Sequence, residues 1–210
     1  RFHWEETTRG GACFVNQKRW VPFEKGGGYG KWFGHHFWSV DWEFDGARIK
    51  MSLSPRVQNE QHYFRRGWTY SYMARGNLGA RLLAASVFGH KSPAILFRVT
   101  MPGGMAIVNC RFASLIARAI SASIQLPEGC VQRIPIPQTI PDDLSSLETA
   151  CVTLKRWLVS KEPLERCFAH DMSGGECITQ SFCLSLERIN AVAALLHTLE
   201  GNCEKLIFDA

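Results

Sequence analysis

No C-x-x-C pair occurs in this chain of 210 residues, although it contains eight cysteines. That lack removes the spacing by which zinc ribbons and thiol oxidoreductases are recognised. Cys177 and Cys183 are the closest two, with five residues between them, while Cys13, Cys110, Cys130, Cys151, Cys167 and Cys203 are scattered more widely. Reduced, mostly buried thiols of a cytoplasmic protein are therefore expected, with no metal. The string G-x-x-x-x-G-K-S/T is missing too, which excludes a Walker-type phosphate loop. Gly28, Gly30 and Gly34 are spaced G-x-G-x-x-x-G and lead into an alternating, strand-like stretch, which disfavours a dinucleotide fingerprint. No apolar run approaches the roughly 20 residues that cross a bilayer, so no membrane partner is expected. Arg1 opens the sequence without a charged-then-apolar leader, as expected of a piece of a longer protein.

Acidic residues are scarce in one half and aromatics in the other. Residues 1 to 100 hold 15 Lys and Arg against 7 Asp and Glu, whereas the remainder holds 9 against 12, which together give the net charge of +5. Of the 24 aromatic residues, 19 lie in the first half. Positive charge with flat side chains suits a nucleic-acid surface, because Lys and Arg displace phosphate counterions while rings stack or pack beneath the groove. The second half reads as scaffold.

The centre of the basic half is the stretch from Arg19 to Ile49. It sets three consecutive glycines, Gly26, Gly27 and Gly28, between Lys25 and Lys31 and among Trp20, Trp32, Trp38 and Trp42. Glycines let a backbone approach a ligand with no side chain between them, and neighbouring lysines suit a phosphate. A hairpin turn with charged shoulders explains the same triplet without any ligand. From Trp32 to Ile49 apolar and polar residues alternate, and Asp45-Gly46 supplies a turn signal, so a hairpin is expected there. His35 and His36 are neighbours that a strand would send to opposite faces, which makes them turn or rim residues and not a metal pair. A second basic, aromatic segment, residues 59 to 81, places Arg65 and Arg66 before Gly67 and Trp68, alternates Thr69, Tyr70, Ser71 and Tyr72, and turns at Arg75. A hydroxyl face between aromatics suits base edges or phosphates, and Arg is the commonest partner of guanine.

Four strings carry a resemblance. These are WVPFEKGG from Trp20 to Gly27, KWFG from Lys31 to Gly34, DWEFDGARIK from Asp41 to Lys50, and YFRRGWTYS from Tyr63 to Ser71. Together they resemble the target-recognition region of large DNA adenine methyltransferases, namely the type IIG restriction-modification enzymes and the PglX methyltransferases of BREX phage-exclusion systems. The pattern there is an aromatic-proline pair, a lysine and two glycines, then a basic residue with W-Y/F-G, a strand ending N-W-E-x-D-G, and later a G-I/V-T/S-W/Y-S/T strand. Asp41 stands where asparagine is common, and Gly67-Trp68-Thr69-Tyr70 is a variant of the last strand. Val108-Asn109-Cys110 and Ile134-Pro135-Ile136-Pro137 occupy the places of two further segments that resemble the family's.

In the second half, helical spacing predicts one amphipathic helix from Gly104 to Ser121. An exposed piece from Ala122 to Gly129 and an extended Ile134 to Pro137 follow. A second helix is expected behind Pro141-Asp142-Asp143, and a third from Leu184 to Leu199 that Gly201-Asn202 stops. Glu162, Glu165, Asp171 and Glu176 lack the lysine-associated arrangement that holds Mg²⁺ in nucleases and read as a solvated loop. Methylation of an adenine amine needs a turn of the type D/N/S-P-P-Y/F/W and a glycine-bearing donor loop, and the sequence has neither.

The expected architecture is α+β, with a sheet-rich basic recognition lobe over residues 1–140 followed by a helical, truncated C-terminal segment over 141–210. The resemblance implies a fragment that grips double-stranded DNA and chooses the sequence. An upstream methyltransferase domain of the same protein would bind S-adenosylmethionine and methylate a flipped adenine. Lys25, Gly26, Gly27, Gly28, Lys31, Arg65 and Arg66 are the first candidates for DNA contact, with Thr69, Tyr70, Ser71 and Arg75 behind them. Aromatic and arginine enrichment also marks protein interfaces, which leaves a protein-interaction module of a defence complex as the alternative, and an RNA-binding fold as a third.

Overall fold

The strands form where aromatic and β-branched residues cluster, as such side chains fit a pleated, packed surface. In the computed structural model, which describes residues 19–53, 56–73, 76–121, 123–169 and 178–209, two small sheets result. Strand β1, Trp20–Glu24, lies antiparallel to β2, Ser39–Asp41. It also pairs in parallel with β5, Val87–Phe88. In the second sheet β3, Gly67–Tyr70, is central, flanked by β4, Ala80–Leu83, and β6, Ala94–Ile95, both antiparallel. The architecture is α+β, as expected.

The hairpin expected at Asp45-Gly46 does not form. Phe44, Asp45 and Gly46 turn with φ of 50, 54 and 73°, and the chain enters α1, Glu43–Lys50, where a second strand was expected. The strand-like alternation before it yields only the three residues of β2. The physical reason is Trp42, which is buried with Val21, Tyr63 and Val87 in a small core and meets Tyr63 edge-on. Gly46 lies so close to its indole ring that a Cβ would collide there, and the absence of one lets the chain fold back over Trp42.

The larger core lies between the β3 sheet and the helices. Trp32, Trp68, Tyr70, Leu78 and Ala80 from the first half meet Met105, Ile107, Leu144, Cys151, Leu196 and Cys203 from the second. The single helix expected from Gly104 to Ser121 is broken into α2, Gly104–Asn109, and α3, Arg111–Ile120. Cys110 is extended at the break, and its sulfur accepts the Ala113 N–H at 3.3 Å as a cap. The break lets Asn109 work as a clamp: its Oδ1 accepts from Ala80 N at 2.7 Å and its Nδ2 donates to Ala80 O at 2.9 Å, pinning β4. The piece expected to be exposed after α3 is not uniformly so. Leu126 is fully buried, donates its N–H to Tyr72 O, and precedes the single turn α4, Glu128–Val131.

Helix α5, Asp142–Val159, begins where the acidic pair after Pro141 predicts. Helix α6 runs from Ile178 to Phe208, straight through Gly201-Asn202. One interior glycine costs a helix about 1 kcal/mol. Burial of Cys203, with Leu206 and Ile207 packed on the core, offsets that. The expectation that no apolar segment reaches membrane-spanning size is corrected here. Among the described residues one helix, Gln180–Phe208, is long and apolar enough to cross a bilayer by length and composition, with a window of mean hydropathy 1.2. Polar ties hold it to the rest of the chain: Glu200 accepts from the Trp32 indole at 2.6 Å, and Glu204 from Arg111 N at 2.8 Å.

Candidate nucleic-acid interface

The connection from β1 to β2, residues 25–38, carries the glycine triplet. Its first residue, Lys25, holds its ammonium 4.1 Å from the centre of the Trp38 ring at the other end of the connection. Gly26 has φ of 76° and packs so closely on Lys91 that a Cβ would collide with that residue's carbonyl oxygen. Gly28 has φ of 90° and open space around it, and its carbonyl accepts from Ser71 Oγ at 2.5 Å. Tyr72 N donates to Lys91 O at 3.1 Å, which ties the Lys91 turn to the chain leaving β3. Between these pieces opens a cleft of about 370 Å³, lined by Lys25, the three glycines, Phe37, Trp38, Ser71, Met73 and Lys91. Two lysines and no carboxylate line it, and Trp38 and Met73 are 41% and 47% exposed.

A buried polar layer supports this loop. Arg81 is fully buried on β4, and donates Nη1 to Ser71 Oγ at 3.3 Å and Nη2 to Ser92 Oγ at 3.2 Å. Burial lowers the pKa of its guanidinium, while the charges of Glu24 and Glu165 act the other way. Glu24, fully buried at the end of β1, meets His36 Nδ1 at 2.8 Å. The expectation for the histidines is corrected: His36 is buried, and His35 is half-buried beneath the glycines, its Nε2 3.1 Å from where a Gly30 Cβ would lie. Burial, helped by the nearby Arg81 charge, pushes His35 down to about 4, so it is neutral at pH 7.

Glu165, read from sequence as part of a solvated loop, is buried and accepts from the backbone N–H groups of His35 at 2.6 Å and His36 at 2.9 Å. Arg166 donates to the carbonyl of His36. Two non-glycine residues of the loop have left-handed backbones, Trp32 at φ 69° and His35 at 66°. Such conformations persist where surroundings over-determine them. Trp32 donates to Ala80 O at 2.8 Å and accepts from Leu82 N at 2.9 Å, and His35 is held by Glu165.

The other sequence candidates divide. Lys31 is half-buried on the helical side, where its charge acts on the thiols of Cys110, Cys151 and Cys203. Arg65 and Arg66 are exposed, with Arg65 Nη1 3.3 Å from His62 Nδ1. They sit at the start of β3 and Ser71 beyond its end, about 16 Å apart at strand rise. Thr69 and Tyr70 are buried because β3 is central and covered on both faces. Thr69 Oγ1 is spent on Ser92 Oγ and Pro93 O, and the Tyr70 hydroxyl donates to Leu126 O at 3.1 Å. Neither presents a free group to a ligand in this arrangement. Ser71 is nearly buried and serves the glycine loop from within. Arg75 lies outside the described residues. Lys91 was missed, since one lysine between a histidine and a serine carries no periodic signal.

No family model matches the chain. Over 130 residues, 60% of this chain, it is 22% identical to the adenine-specific methyltransferase BrxX of Escherichia coli O9:H4 (strain HS). Over 155 residues, 66% of this chain, it is 21% identical to the adenine-specific methyltransferase PglX of Lacticaseibacillus casei (strain Zhang). The chain is similar to adenine-specific methyltransferases. Its matched parts span only 11% and 12% of those two proteins' lengths. Among the described residues no group of three or more His, Cys, Asp or Glu side chains is placed to hold a metal ion.

Proposed function

We propose that this chain is the DNA target-recognition portion of a cytoplasmic, S-adenosylmethionine-dependent adenine-N6 DNA methyltransferase of a restriction-modification or phage-defence system. The observation that carries the reading is the cleft that joins Lys25, Lys91 and the glycine backbone in one concave, carboxylate-free surface. The similarity to two adenine-specific methyltransferases supports it independently. With two lysines and no carboxylate, the cleft suits an anion such as phosphate better than the sulfonium centre of S-adenosylmethionine. In this reading methyl transfer belongs to another part of the protein, and this portion supplies grip and choice of sequence.

Duplex binding measured over a range of salt tests this. Contacts from Lys25, Lys91, Arg65 and Arg66 to phosphates predict a slope of log K against log salt of about −3 to −4. Each Lys→Gln change removes about one unit of that slope, whereas loss of a base reader relaxes the motif at one position. Sequencing methylated adenines in a host that carries the full gene tests the catalytic half of the reading. A second reading, a protein-interaction module, has its own support in the exposed apolar side chains of α6, among them Phe182, Leu186, Leu195 and Phe208. A flat salt response would favour it.

A further inference from the structure

We infer that the glycine-triplet cleft is a subsite for one unstacked nucleotide, its base against Trp38 and its phosphate between Lys25 and Lys91; this rests on the DNA-recognition reading and deepens it. A phosphate on an intact duplex satisfies lysines but leaves an apolar floor wet. The floor here is Trp38, Phe37 and Met73, with Trp38 and Met73 among the exposed large apolar side chains of the fold. A paired base presents only its edges, because its faces are already stacked. The ligand that offers both an anion and a bare apolar face is a nucleotide turned out of its stack.

The size agrees. About 370 Å³ lies at the small end of ligand pockets, enough for one base and too narrow for a helix or duplex. The walls are fixed in advance. Lys91 is located by the Tyr72 N–H bond and by the close approach of Gly26, and Gly28 by Ser71, which in turn is held by buried Arg81. The Ser71 hydroxyl proton is thereby committed to Gly28 O, so what the cleft side chains offer the nucleotide is a ring face and positive charge. In the free protein Lys25 covers the Trp38 ring. An arriving phosphate draws the ammonium away, and the base takes its place, an exchange of a weak exposed cation–π contact for a fuller stack.

Anisotropy with the 210-residue chain tests this with three labelled duplexes: fully paired, with one extrahelical nucleotide, and with one extrahelical abasic residue. The extrahelical nucleotide is expected to bind roughly tenfold tighter than the other two, the scale of one base stack. Trp38→Ala removes the preference for base over abasic residue, Trp38→Phe keeps most of it, and Lys91→Gln weakens all three duplexes. Equal affinity for base and abasic residue, or a preference that survives Trp38→Ala, overturns the subsite and leaves DNA recognition standing. Failure to bind any of the three duplexes overturns both.

Discussion

At the scale of residues, the three glycines are not equivalent. Gly26 combines a left-handed backbone with collision against a main-chain carbonyl, Gly28 has the left-handed backbone alone, and Gly27 has neither. Alanine at Gly26 is expected to cost roughly 2 kcal/mol or more, at Gly28 about 1 kcal/mol, and at Gly27 close to nothing, read as shifts in denaturation midpoint. His35 gives a pH dependence. Its folded pKa of about 4 lies below the ordinary 6.5, so between those values the unfolded chain takes up a proton that the folded chain refuses. The His35 contribution is therefore full above pH 6.5 and is lost as pH falls toward 4, and a His35→Gln variant should flatten that part of the curve. Asp41 acts lower on the scale. The hydrogen bond from Arg19 holds its carboxyl below the usual range, so its contribution is lost only as the solution turns more acidic still.

At the scale of elements, α6 separates residues by face. Leu196 is buried against the core and its neighbour Leu195 is about half exposed. Leu196→Ala should cost about 2–4 kcal/mol by leaving a cavity, and Leu195→Ala less than about 0.5 kcal/mol, in chemical denaturation. The break at Cys110 gives a second contrast. Cys110→Ala loses the cap on α3, worth about 1 kcal/mol, while Cys110→Ser keeps an acceptor at the same place. Helical periodicity across residues 104 to 120 continues through Cys110, which is why the break was illegible. It accompanies the Asn109 clamp on Ala80, a contact 29 residues away in sequence.

For the whole molecule, the two halves of the sequence are not separate bodies of function. The basic loop is anchored from the second half by Glu165 and Arg166, and Trp32, within that loop, donates to Glu200 of α6. Glu165→Gln replaces a carboxylate that accepts two backbone bonds with an amide that has only one acceptor oxygen. A loss of about 1.5–3 kcal/mol from local stability is expected, seen as faster hydrogen exchange at the His35 and His36 amides. Since the His35 ring packs against Gly27 and Gly30, DNA affinity should fall in the same variant, although Glu165 lies outside the cleft lining. Glu165→Ala, which removes both acceptors, should show the larger effect in each measurement.

The sequence by itself determined the α+β mixture, the strand at Gly67–Tyr70, the start of α5, and the concentration of lysine, glycine and tryptophan in one connection. These are local properties, set by propensity, periodicity and turn chemistry within a few residues. Only the tertiary structure decided that Thr69 and Tyr70 point inward, that Glu165 is an anchor and not a solvated carboxylate, and that Lys91 joins Lys25 across the cleft. Each of those depends on what lies opposite a residue, not beside it. A strand covered on both faces, a buried pair of backbone N–H groups, and a turn 66 residues away leave no trace in local spacing.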